Sequence, residues 1–132
     1  MKFAYIMRGL PGSGKSTVAK QLVANGGVIH STDDYFLSCG KYTFDPNHIV
    51  EYHRMNLEAF RESLRQGKSV VVCDNTNVKW QHFEPYVKAA QDAGYVISLV
   101  TLPHPAPEVA ALRTVHKVPV QAIRRMLAEW EN

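Results

Sequence analysis

The chain has 132 residues, 45% of them hydrophobic, and 15 Lys and Arg against 12 Asp and Glu give a formal net charge of +3. That length is expected to form one domain spanning residues 1–132, able to bury roughly two-thirds of its unfolded surface without a disulfide or metal staple. No apolar run approaches the ~20 residues of a membrane span. Cys39 and Cys73 are far apart and form no C-x-x-C pair, and the six histidines show no zinc-type spacing. A soluble, cytoplasmic protein with reduced thiols and no membrane association is therefore expected. The small positive charge permits contact with nucleic acid without requiring it.

The first apolar run, Phe3 to Met7, reads as a strand and leads into Gly9-Leu10-Pro11-Gly12-Ser13-Gly14-Lys15-Ser16. This is a G-x-x-x-x-G-K-S phosphate loop. Its glycines let consecutive backbone N–H groups curl around an anion, its lysine reaches the β- and γ-phosphates, and its serine hydroxyl is a ligand for Mg²⁺. Lys15 to Ala24 reads as a helix with its positive dipole end toward the phosphates. Gly9, Gly12, Ser13, Gly14, Lys15, Ser16 and Thr17 are the expected nucleotide-binding residues, with ATP as the ligand.

Gly27 to Ser31 follows as a short strand, and a long helix is expected from about Asn47 to Gln66, with Ile49, Tyr52, Asn56, Ala59, Phe60 and Leu64 at helical spacing. Gly67 stops it before a strand over Ser69 to Cys73. A further helix is expected from Trp80 to Ala93, then a strand from Tyr95 to Val100. The last third holds the loop Pro103 to Pro107, a short helix over Glu108 to Arg113, and a closing helix from Val120 to Glu131. Ile123, Met126, Leu127 and Trp130 give that last helix one apolar stripe. Alternating helices and apolar strands predict an α/β, three-layer fold with a mostly parallel sheet and helices on both faces.

In such folds ligands lie across the carboxyl ends of the strands, which focuses attention on the acids found there. Asp74 ends the third strand, in the place of an acid that holds Mg²⁺ beside the Ser16 hydroxyl. Asp33 and Asp34 follow the second strand. One of them is positioned to accept the proton of an attacking hydroxyl, although a pair of this kind also serves as an N-cap and turn. Asn75 and Asn77 read as turn and hydrogen-bonding residues. The guanine-reading N-K-x-D and the γ-phosphate D-x-x-G strings of GTPases are both absent, and 132 residues leave no room for a multi-domain motor. A kinase fits better.

The phosphate loop, Ser31-Thr32-Asp33-Asp34-Tyr35-Phe36, Asp74-Asn75-Thr76-Asn77 and Arg113-Thr114-Val115-His116-Lys117-Val118-Pro119 resemble, in order and spacing, the small P-loop kinase family of bacteriophage polynucleotide kinase. Within it they look like a branch found both as stand-alone proteins and as the ATP-binding domain of animal ubiquitin-ligase-binding proteins. The resemblance implies a P-loop kinase fold, ATP and Mg²⁺, Lys15 as a catalytic residue, Asp33 as the general base, and a lid arginine, here Arg113, on the transferred phosphate. Lys117, Arg124 and Arg125 are alternatives for that last role. The nucleic-acid kinases carry an arginine three residues after the base, where this chain has Phe36. The expected activity is transfer of the γ-phosphoryl group to a hydroxyl, foremost the 5′-hydroxyl of a polynucleotide. A nucleoside or other small acceptor is the alternative, and an ATP-binding interaction module with little catalysis is a second one. No protein partner is implied. The aromatic stretch from Tyr35 to Phe44, with Lys41 in it, lies where an acceptor should arrive. It suits either base stacking or packing against the long helix, and packing is the expected role.

Overall fold

The computed structural model describes residues 1–38 and 40–132, so Cys39 lies outside the described residues. The apolar runs form strands β1 (Phe3–Arg8), β2 (Val28–His30), β5 (Val70–Asp74) and β6 (Val96–Thr101), and a two-strand hairpin supplies β3 (Leu37–Ser38) and β4 (Lys41–Tyr42). The four longer strands make one parallel sheet in the order β2-β5-β1-β6. Register places Met7 beside both Asp74 and Val100, which brings the carboxyl ends of the central strands level. The helices are α1 (Lys15–Leu22), α2 (Ile49–Arg65), α3 (Trp80–Asp92), α4 (Pro107–Arg113) and α5 (Val120–Glu129).

Side chains alternate across the strands, so the sheet has two apolar faces. Ala4, Ile6, Val71 and Cys73 meet Phe60 and Leu64 of α2 and Phe83, Tyr86 and Ala90 of α3. On the other face Met7 and Val72 meet Ala19 of α1, with Val18 and Leu22 around it. These three layers are the architecture that the strand and helix pattern predicts. Strand β6 lies at the sheet edge, and for that reason Val96 and Leu99 stay exposed although the run reads as fully apolar. Cys73 is a free cysteine whose thiol burial pushes up to about 12. No helix among the described residues is long and apolar enough to cross a membrane.

Element ends fall within one or two residues of the sequence reading except in the connection before α2. Residues Thr32–Phe36 wind as a 3₁₀ turn, and a second such turn, Pro46–His48, leads into α2, with Asp45 accepting the Asn47 N–H at 3.0 Å. The expected packing of the aromatic stretch holds for Tyr35 and Phe36, which meet Tyr52 of α2, whereas Phe44 is 55% exposed. Phe36 is 4% exposed, and its ring lies 5.1 Å from that of Phe44 and 4.7 Å from that of Tyr52 on α2. In α5, Ile123 is buried with Met126 and Trp130 packed around it, whereas Leu127 remains exposed.

Two polar side chains tie the upper ends of the sheet together. Arg8, at the end of β1, is buried between the rings of Phe83 and Trp130, each 4.5 Å from its guanidinium carbon. It donates to the carbonyls of Asn77 at 2.9 Å and Val78 at 3.0 Å and to that of Glu131. Burial holds its guanidinium below the ordinary arginine value, with Glu131 acting in the opposite direction. Asn77, 2% exposed, sits at a φ of 49° and donates to the Met7 carbonyl at 2.7 Å, joining β1 to the loop after β5. Asparagine tolerates that left-handed backbone better than most residues. Asn77→Ala is expected to lower stability by about 1–3 kcal/mol through the lost buried hydrogen bond and the strained backbone, read as a lower urea midpoint. An unchanged midpoint would show that the loop is held by other contacts.

Candidate functional site

The phosphate loop connects β1 to α1 and is fixed from three sides. The Gly9 N–H donates to the Thr76 carbonyl at 3.1 Å, and the Ser13 N–H donates to Leu10 at 3.1 Å. Gly12 has a φ of 80°, and a Cβ there would lie 2.3 Å from the Ala110 carbonyl of α4, so α4 packs directly on the loop. Gly14 has a φ of 91° and stands at the N-cap of α1 without a side-chain cap, leaving the first helical N–H groups for an anion. The Ser13 hydroxyl oxygen is buried without a hydrogen-bond partner. A phosphate oxygen would satisfy such a group.

Asp74 ends β5 at 5% exposure and gathers the two polar residues that open α1. The Ser16 hydroxyl donates to its Oδ2 at 2.9 Å, and Lys15 Nζ lies 3.1 Å from its Oδ1. That Oδ1 is paired in charge but receives no aligned hydrogen bond. A hydroxyl and a carboxylate with an unsatisfied buried oxygen are hard oxygen donors, which fits the sparse protein ligation of Mg²⁺ beside triphosphates. The donor set therefore suits the metal expected at Ser16 and Asp74.

The acid pair sits on the 3₁₀ turn Thr32–Phe36, which is clamped at its first residue. The Thr32 N–H donates to Asn75 Oδ1 at 2.9 Å, and the Thr32 hydroxyl lies 3.2 Å from His53 Nδ1 on α2. Thus the residue following Asp74 holds the turn that carries Asp33 and Asp34. Asp33 is exposed and accepts from the Tyr42 hydroxyl at 3.3 Å. Asp34 is also open to solvent but lies within the cleft. Partial burial, followed by repulsion from Asp33 and Asp74, raises its carboxyl above the usual range, against an opposing pull from His116. His53 is held below the usual histidine value by burial first and by His82 second, with Asp33 acting the other way.

These parts line one cleft of about 1000 Å³. It runs from the phosphate loop past Asp74 to the hairpin, under the segment 113–119 between α4 and α5. Arg113 ends α4, and Arg113 and Lys117 line the cleft. Arg124 pairs instead with Glu108 across the two lid helices, and Arg125 is exposed on α5. Lys15, Ser16, Asp33, Asp74 and Arg113 therefore share one space. His53, Tyr42 and His116 were not singled out as site residues by sequence. Tyr42 lay inside a stretch read as packing. His53 comes from a distant part of the chain and matches no motif, and His116 lies in the segment 113–119 that carries the family resemblance but has no role assigned to it there.

A family model described as "AAA domain" matches residues 5–131. Human NEDD4-binding protein 2 is 37% identical over 133 residues, covering 96% of this chain but only 8% of that protein. The chain therefore spans a small part of this curated relative. Among solved structures, a chain of the Pnkp1/Rnl/Hen1 RNA repair complex superposes with a TM-score of 0.75 at 23% identity, covering 97% of this chain and 43% of that one. A gluconokinase from Sinorhizobium meliloti gives 0.62 at 18% identity, covering 98% and 75%. At those identities the superpositions speak for fold, and the family match accounts for nearly the whole sequence. The chain belongs to the AAA domain family and carries its phosphate loop in a P-loop kinase fold.

Proposed function

We propose that this protein is an ATP-dependent kinase that moves the γ-phosphoryl group to a hydroxyl acceptor. The observation that carries this reading is the convergence on one cleft of Lys15, Ser16 and Asp74 with the acid pair, through the Asn75 clamp on Thr32. An acid pair in the same cleft as the phosphate loop offers a base beside the transferred phosphate, which supports transfer over binding alone.

In this mechanism the loop N–H groups and the Ser13 hydroxyl hold the triphosphate, and Lys15 leaves Asp74 to contact the β- and γ-phosphates. Ser16 and Asp74 would hold Mg²⁺, whose contribution is to neutralise charge on the phosphate oxygens. Asp33 accepts the acceptor's proton as the acceptor oxygen bonds to the γ-phosphorus. The bond from that phosphorus to the β,γ-bridging oxygen breaks, and ADP leaves with that oxygen. Arg113 stabilises charge on the group in flight. Asp33 takes the base role in preference to Asp34 because the family resemblance gives that role to the first acid of the pair, and Asp33 is exposed to an incoming acceptor and held by the Tyr42 hydroxyl. A base needs access to the acceptor more than proximity to the metal side.

The leading acceptor is a 5′-hydroxyl polynucleotide, supported by the family resemblance. One observation favours a smaller acceptor. Phe36 occupies the position of the acceptor-gripping arginine and is buried in the aromatic cluster. Ionic strength separates the two: KM for an oligonucleotide should rise steeply with salt, and KM for a neutral nucleoside should not.

Lys15→Ala is expected to lower turnover by about 10³-fold or more with the fold intact by circular dichroism, and near-normal turnover would contradict the assignment of the loop. Asp33→Asn should cut transfer by roughly 10²- to 10⁴-fold while ATP still binds, as measured by nucleotide titration. Should Asp34→Asn be the inactive variant and Asp33→Asn be active, the base has been misassigned. Arg113→Ala should lower kcat more than it weakens ATP binding, and an unchanged kcat would move that role to Lys117.

A further inference from the structure

Tyr42 has no part in the mechanism above, yet it touches two residues that line the cleft, Asp33 and His116, and the buried Phe36 beneath it. Its hydroxyl donates to Asp33 Oδ1 at 3.3 Å. Its ring stacks on His116, with centroids 3.8 Å apart and planes within 18°. Its edge meets Phe36, whose centroid is 6.0 Å away at 61°. Phe36 is itself wedged against Phe44 and Tyr52, so Tyr42 projects from a packed base although it belongs to a two-residue strand.

The neighbouring rings face the other way. Tyr35, Phe36 and His48 all pack on Tyr52 of α2, at 5.7, 4.7 and 5.4 Å. Tyr42 instead reaches across the cleft to the lid. The lid meets it with a shaped turn: the Thr114 hydroxyl donates to the Ala111 carbonyl at 3.2 Å and accepts the Val118 N–H at 3.0 Å, and Lys117 takes a φ of 55°. That turn presents His116 to Tyr42 in the same segment that starts at Arg113. The phenol is pushed up to about 12 by burial first and then by Asp33, so Tyr42 remains a hydrogen-bond donor at neutral pH.

We propose that Tyr42 is a positioning residue that couples the lid to the acid pair: its hydroxyl orients the Asp33 carboxylate, and its stack on His116 holds the segment 114–119 over the cleft. This rests on the assignment of Asp33 as the base. The hydroxyl leaves one Asp33 oxygen for the acceptor proton while fixing the other. The stack places Arg113 and Asp33 about the same phosphoryl group and excludes water from it. A single ring pair is weak enough to open and close with each turnover. Neither contact depends on a cation gripping the acceptor, so the device operates with Phe36 in the arginine position.

The test uses the full chain with γ-labelled ATP, Mg²⁺ and a 5′-hydroxyl oligonucleotide, together with amide exchange of residues 115–118 in the presence of ATP. Tyr42→Phe keeps the stack and loses the hydroxyl. Its exchange should match wild type while kcat for transfer falls about tenfold at unchanged KM for ATP. His116→Ala should speed exchange at 115–118 by about tenfold and raise the ATP hydrolysed per acceptor labelled, and His116→Tyr should restore both. Exchange in His116→Ala that equals wild type overturns the lid coupling whether or not the oligonucleotide is an acceptor. Unrescued loss in His116→Tyr overturns stacking as its cause. Inactive Asp33→Asn beside Tyr42→Phe of normal kcat overturns the role of Tyr42 alone, whereas active Asp33→Asn overturns the base assignment beneath it.

Discussion

The paired contacts of Asp74 with Ser16 and Lys15 organise the molecule. They require the carboxyl end of β5 to stand level with the start of α1, and the parallel register of β1 with β5 supplies that by setting Met7 beside Asp74. A slip of one residue would turn Asp74 to the other face of the sheet. The two-sided apolar packing of β1 and β5 therefore protects the site as well as the core. Asn77 and Arg8 act at the same level, binding the loop after β5 to β1 and to the end of the chain.

From this anchor the site extends in two directions, by a hydrogen bond on one side and by close packing on the other. Asn75, next to Asp74, holds Thr32 and with it the turn bearing Asp33 and Asp34. Gly12 accommodates the Ala110 carbonyl, so the lid helix α4 rests on the phosphate loop and delivers Arg113 to the cleft. The phosphate loop, the turn bearing the acid pair and helix α4 thus depend on one another through short contacts. Charge follows the same division. Lys15 stands beside the phosphate loop, whereas the far side holds Asp33 and Asp34, and their mutual repulsion contributes to the raised Asp34 carboxyl.

Much of this is legible in the sequence because the relevant physics is local. The glycine spacing announces the phosphate loop, short apolar runs announce the central strands, and apolar residues at helical spacing, stopped by Gly67, announce α2. Asp74 and the acid pair are found by asking which acids follow strands. What escapes the sequence is set by contacts between distant residues. The hairpin β3–β4 has only two residues per strand, too few for an alternating pattern, and its place depends on Phe36 meeting Tyr52 on α2. Arg8 belongs to no motif, and its role emerges only where Phe83 and Trp130 enclose it in the fold. His53 and His116 lie 63 residues apart and meet the acid pair only in the folded chain. Among the cations near the end of the chain, tertiary placement distinguishes Arg124, which pairs with Glu108, from Arg113 and Lys117 at the cleft.

The central claim is that the phosphate loop is the donor half of a transfer site. Incubation of the wild-type protein with γ-labelled ATP and Mg²⁺, against a panel of 5′-hydroxyl oligonucleotides, nucleosides and sugars, tests it directly. Label appearing on one acceptor class, with ADP formed in equal amount, is the expected result. Tight nucleotide binding with slow hydrolysis and no labelled acceptor would contradict it, and would make the cleft a nucleotide-dependent binding site instead.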